Sequence, residues 1–276
     1  MKKILFPTDF SEVANNAFVH ALELAKMVKA ELILLHSFEI PIINNEYYPE
    51  NYQDLFDSLE LSKFEKFKDE IPKLRAIADE RKLGHIPISH RLMEGDVISN
   101  IKDCIEADKI DFVVMGTSGR TGWTDFFFGS VTGDVLHTVS VPVLSVPKNA
   151  NYNKLEKIGF TTRFREKDKV ALREVLTFAK KTNAKVHCLY VKTRYSDISN
   201  EKIAEWEKEF EHEPVMFFVL PNDEVKESII EFIDHQDIDV LAMKTYKKSF
   251  FVDLFTSSFT ENMSKSIDIP VLVLHE

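Results

Sequence analysis

Cysteine is scarce, with only Cys104 and Cys188 in 276 residues. Two lone thiols in separate helix-like and strand-like contexts exclude a disulfide framework and offer no zinc-ligand spacing, so both read as small buried hydrophobes. Long apolar runs are missing too. The opening MKKILFPTDF is interrupted by Pro7 and Asp9, too early for a signal-peptide core, and no later run reaches membrane-spanning length. The expectation is a cytoplasmic protein with no membrane partner. A basic excess is also lacking: at a formal net charge of −10 the overall field repels phosphate chains, which argues against nucleic acid and makes any anion site local.

Glycine is the most informative shortage. Of the eight in the chain, five (Gly116, Gly119, Gly122, Gly129 and Gly133) fall between residues 116 and 133, and none occurs after Gly159. Neither GxxxxGK[ST] nor GxGxxG is present, which excludes the P-loop and the dinucleotide fingerprint.

What is there is an alternation of short β-branched runs with long amphipathic stretches. KKILF precedes a helical pattern over 11–29, ELILLHS one over about 51–83, IPISHRL one over 97–108, and DFVVMG one over about 129–139 before VPVLSVP. Strands that are nearly all apolar are buried on both faces, so the pattern predicts a parallel α/β sheet with helices on both sides. It then restarts. KILFPTDF at 3–10 matches KIGFTTRF at 157–164 at an offset of 154, and DFVVMG and VPVLSV match DVLAMK and IPVLVL at an offset of 128. The second copy is therefore 26 residues shorter, with the deficit around the charged stretch 51–83. Two tandem α/β domains are expected, 1–148 and 149–276, joined at the polar stretch KNANYNK.

Ligands of open parallel sheets bind beyond the carboxyl ends of strands where strand order reverses. The glycines follow the fourth strand of the first copy, and Gly129-Ser130 opens the next helix. Bare backbone, a helix N-terminus and the Ser130 and Thr132 hydroxyls make this a phosphate cradle. The spacing Gly116-x2-Gly119-x9-Gly129-Ser130, with ILFPTDFSE and LILLHS before it, resembles the universal stress protein family.

That resemblance implies two doubly wound, Rossmann-like five-stranded domains with strand order 3-2-1-4-5. It also implies that the apolar fifth strands pair with each other as an intramolecular pseudo-dimer, instead of standing as unprotected edges. It implies an adenine nucleotide, ATP, ADP or AMP, with magnesium entering only through ATP. By the same resemblance Pro7, Thr8 and Asp9 flank the nucleoside, the Asp9 carboxylate accepting from ribose, and the Ser37 backbone faces adenine. Met115 and Gly116 lie by the ribose, Gly119 and Arg120 begin the loop, and Gly129, Ser130, Val131 and Thr132 hold the phosphates. Asp9 also has a structural reading as a helix N-cap.

The second copy departs from this pattern: Arg163 stands for Asp9, Lys244 for Gly116, Lys247 for Gly119, Lys248 for Arg120 and Ser257 for Gly129. It is not expected to bind ATP in the family manner, and its cations leave open a pocket for another anion or a vestigial site. Three functions stay open for the first copy: nucleotide-dependent regulation through a protein partner, slow ATP hydrolysis or autophosphorylation at Ser130 or Thr132, and a nucleotide-independent scaffold. Further homodimerisation also stays open. For hydrolysis the loop offers no base beyond Asp125. Glu94-Gly95-Asp96 reads as a turn into an N-capped helix, matched in the second copy by Pro221-Asn222-Asp223.

Overall fold

The computed structural model describes residues 1–40, 52–117, 130–244 and 267–275. The chain forms two compact units, Met1–Gly116 and Thr117–Glu276.

The first unit runs β1 (Lys2–Pro7), α1 (Glu12–Val28), β2 (Ala30–Phe38), α2 (Tyr52–Glu80), β3 (Ile88–Glu94), α3 (Val97–Asp108) and β4 (Phe112–Gly116). Its sheet order is β3-β2-β1-β4. All pairs are parallel, in registers such as Ile4↔Leu32, Ile4↔Phe112 and Leu34↔His90. Ile4, Leu5 and Phe6 are fully buried in succession, as a central strand covered on both faces requires. Helix α1 lays Ala14, Ala17, Phe18, Ala21, Leu22 and Ala25 against the sheet, a spacing that keeps them on one face. It ends at Lys29, whose left-handed backbone (φ 53°) returns its N–H to the carbonyls of Ala25 and Lys26.

The second unit contains α4 (Ser130–Thr138), β5 (Val143–Val146), β6 (Lys157–Thr161), α5 (Glu166–Thr182), β7 (Lys185–Lys192), α6 (Asn200–Glu209), β8 (Val215–Pro221), α7 (Val225–Gln236), β9 (Val240–Lys244) and β10 (Val271–Leu274). Its sheet order is β5-β10-β9-β6-β7-β8, so the second copy displays the full 3-2-1-4-5 winding. Beyond it, β5 pairs antiparallel with β10, Val143 opposite Val273 and Ser145 opposite Val271. The two apolar fifth strands thus cover one another, which removes the edge that either alone would expose.

The repeat extends to single hydrogen bonds. Lys3 N–H donates to the Asp111 carboxylate (2.8 Å) while Asp111 N–H donates to the Lys3 carbonyl (2.9 Å). Lys157 and Asp239 make the same reciprocal pair at 2.8 and 3.0 Å. Each clamp fixes the start of the fourth strand against the first.

Candidate functional site

Strand β1 ends at Pro7, and the chain turns through Thr8, Asp9 and Phe10 before Ser11 caps α1. Thr8 N–H still donates to the Leu35 carbonyl at 2.9 Å, so β1 and β2 stay joined past the last paired residue. The Thr8 hydroxyl accepts from Phe10 N–H (3.0 Å), and the His36 ring nitrogen Nδ1 donates to the Thr8 carbonyl (2.8 Å). Thr8 is buried. Phe10 takes a left-handed backbone, φ 62°, uncommon for a bulky residue. Its ring packs 4.9 Å from His36, and Phe67 stacks beyond at 6.1 Å from the imidazole.

This lock aims Asp9 outward. Its carboxylate is exposed, with Oδ1 accepting from Ser11 N–H at 3.0 Å. The helix cap is Ser11, whose hydroxyl accepts from Ala14 N–H at 3.2 Å, so the N-cap reading of Asp9 is corrected: Asp9 holds the turn two residues before the cap. One carboxylate oxygen is spent on the backbone, leaving acceptor capacity facing outward.

Ser37 lies at the end of β2, half-buried, its hydroxyl accepting from Asn100 Nδ2 at 3.1 Å. Asn100 is itself buried on α3 and also donates to the Glu94 carbonyl (3.2 Å), tying the ends of β2 and β3 to one side chain. The turn after β3 is as the sequence indicates. Gly95 has φ 106°, and Asp96 caps α3 by accepting from Ser99 N–H at 2.8 Å; that bond holds the Asp96 carboxyl below the usual range. The second-copy match is weaker: Glu224 occupies the cap of α7 without a side-chain bond, and Asp223 instead binds Arg194.

Met115, 5% exposed, ends the buried run of β4, and Gly116 follows. A Cβ at Gly116 would lie 3.0 Å from the Val13 carbonyl oxygen and 3.1 Å from Val13 Cγ1. Here the close approach of α1, not a positive φ, is what favours a bare backbone. Pro7, Thr8, Asp9, Ser37, Met115 and Gly116 therefore share one end of one sheet, at the carboxyl ends of β1, β2 and β4.

Gly119, Arg120, Gly129 and Asp125 lie outside the described residues, as do Lys247, Lys248, Ser257 and Ser258 in the second copy. Ser130 and Val131 begin α4, and Thr132 is buried, 2% exposed. Sequence reasoning missed His36, Phe10, Val13 and Asn100, which shape the site without belonging to its motif. Cys104 and Cys188 are buried, with no disulfide, and burial raises both thiols. Among the described residues no cluster of histidine, cysteine or carboxylates could hold a metal, and no helix is long and apolar enough to cross a membrane.

Comparison with known proteins follows the same division. The model of the universal stress protein family matches residues 1–147 and again 154–275. Universal stress protein MJ0531 of Methanocaldococcus jannaschii is 32% identical over 148 residues, 53% of this chain and 82% of that protein. Universal stress protein MJ0577 of the same organism is 29% identical over 161 residues, 53% of this chain and 95% of that protein. A solved universal stress protein from Archaeoglobus fulgidus shares the fold over 99% of this chain and 98% of its own, with a TM-score of 0.71 at 16% identity.

Proposed function

The chain belongs to the universal stress protein family, carrying two copies of its domain, and from that premise we propose that the first copy binds an adenine nucleotide as a regulatory ligand. The observation that carries this reading is the locked turn at Thr8. It presents an exposed carboxylate at Asp9, beside the ends of β2 and β4, where a parallel sheet receives ligands. An acceptor-only group in that place suits ribose hydroxyls. The phosphate part of the reading rests on the sequence spacing of Gly119, Arg120, Gly129, Ser130, Val131 and Thr132. ATP, with magnesium carried on its phosphates, is the form that uses all of these residues, and ADP or AMP use fewer.

Residues 1–148 and 149–276 are the two domains of this proposal, the first regulatory and the second a modified copy. Nucleotide occupancy then sets the conformation of the 116–132 segment and so a surface for a protein partner. The test is direct: purify the chain without added nucleotide, denature it, and identify released nucleotide by chromatography, beside Asp9→Asn and Gly129→Glu variants. About one adenine nucleotide per chain, lost in Gly129→Glu and bound about tenfold more weakly by Asp9→Asn, is expected. A wild type that is empty and also fails to bind added ATP, ADP or AMP would remove the proposal.

A further inference from the structure

The second copy holds a cavity of about 370 Å³ at the position that corresponds to the first-copy site, reached from the carboxyl ends of β6, β7 and β9. That volume is of the size that receives a small organic molecule. Its floor is apolar, formed by Leu189, Met243 and Ile229 among others, with Tyr190 beside them. Its charge is positive. Among the described residues, Arg163, Arg165 and Lys244 line it against the single carboxylate of Asp197. Asp197 is already engaged by Arg165, whose Nη2 contacts both carboxylate oxygens at 2.7 Å.

The turn that builds this cavity is as firmly held as its counterpart. Thr162 N–H donates to the Leu189 carbonyl (2.9 Å), the Thr162 hydroxyl accepts from Phe164 N–H (2.9 Å), and Phe164 has φ 53°. The carboxylate that secures it is Asp168, buried completely, which accepts from Arg163 N–H (2.7 Å), Arg165 N–H (3.2 Å) and the Thr162 hydroxyl (3.2 Å). Position 163 is thereby relieved of the backbone duty that Asp9 performs, and its exposed guanidinium belongs to the cavity rim. Lys244, half-buried, stands where the first copy needs a bare backbone. A site with these exchanges has lost its acceptor for sugar hydroxyls and gained donors for an anion.

We propose that this cavity binds an organic anion with an apolar body, its carboxylate or phosphate head on Arg163 and Lys244 and its body against Leu189, Ile229 and Met243. The probe is anilinonaphthalene sulfonate, an aromatic anion whose fluorescence rises on binding, titrated into the full chain and displaced by decanoate, phenyl phosphate or AMP. Saturable binding is expected. Either decanoate or phenyl phosphate displaces it, and the better competitor identifies the head group. The Arg163→Ala, Lys244→Ala double variant should weaken it about tenfold or more, and Asp9→Asn should leave it unchanged. Arg163→Glu, a charge reversal at an exposed position, should weaken it likewise and guards against a folding defect in the double variant. Absence of saturable binding, displacement by AMP but by neither simple anion, or affinity unmoved in both variants would overturn the proposal.

Discussion

Residues 8–11 and 162–165 trace the same turn, with the same threonine hook, the same left-handed phenylalanine and the same bond to the neighbouring strand. Yet they carry opposite chemistry. In the first copy one carboxylate, Asp9, both steadies the turn and faces outward. In the second those tasks are divided: Asp168 steadies the turn from inside the core, and an arginine faces outward. Ala14 occupies the position matching Asp168 at the same offset, so the carboxylate has moved from turn to helix while the backbone has kept its path. A loop whose shape is held by hydrogen bonds from the backbone can change its outward charge once another residue takes over the bonding.

The strongest way to break that comparison is to remove the two carboxylates in turn. Asp168→Ala leaves two part-buried backbone N–H groups and a buried hydroxyl without their acceptor, and should cost about 2–4 kcal/mol. Asp9→Ala, at an exposed position, should stay within about 1 kcal/mol of wild type. Urea unfolding followed at Trp206, fully buried in the second copy and packed 5.0 Å from Phe164, reads the first effect locally. Equal losses in the two variants would mean that the turn duty had not moved.

Gly116 sharpens the contrast at the next strand end. Gly116→Ala puts a Cβ 3.0 Å from the Val13 carbonyl oxygen, so α1 or the strand end must give by a few tenths of an ångström. A cost of about 1–3 kcal/mol is expected in thermal unfolding. Lys244→Gly at the matching position should cost less, because the backbone there already accommodates a side chain. A neutral Gly116→Ala would show that α1 yields to the added methyl at no cost.

The strands and the repeat were legible because both are written in periodicity: apolar runs such as ILF and VPVLSV read as buried strands, and their recurrence at fixed offsets marks two copies. The winding and the pairing of the fifth strands came from the resemblance to the family, since no period fixes strand order. Asp9, Ser37 and Gly116 were legible through that same resemblance, position by position. What surrounds them was not. His36 reaches the Thr8 carbonyl only because β1 and β2 pair in one register, and Gly116 meets Val13 only because α1 crosses β4 closely. Asp168 looks like any acidic residue in a first helical turn; its burial depends on the turn curling back over it. Such contacts join residues distant in sequence or folded back locally, and no linear pattern encodes them.

The smallest expected effect concerns a titrating group that one copy has and the other lacks. Ile33 and His187 occupy matching positions on β2 and β7, 1% and 3% exposed. His187 packs 5.2 Å from Phe218, and burial, followed by the nearby Lys157 and Lys185 charges, lowers its pKa below the ordinary 6.5. The folded chain therefore keeps it neutral while the unfolded chain protonates it, so its contribution to stability is whole above about pH 6.5 and declines as pH falls toward the folded-state pKa. The carboxylates lowered by their partners in this copy, Asp197 by Arg165 and Glu209 by Lys169, lose their contribution only at more acid pH, below their own ordinary range. His187→Ile, borrowing the first copy's residue, should flatten the loss of second-copy stability between about pH 7 and pH 5, read by urea unfolding at Trp206. His90 in the first unit has the same sign of shift, also from burial, and should leave its own slope intact in that variant. An unchanged slope at Trp206 would mean that the folded second copy accommodates the charged imidazole, and that this difference between the copies has no consequence for stability.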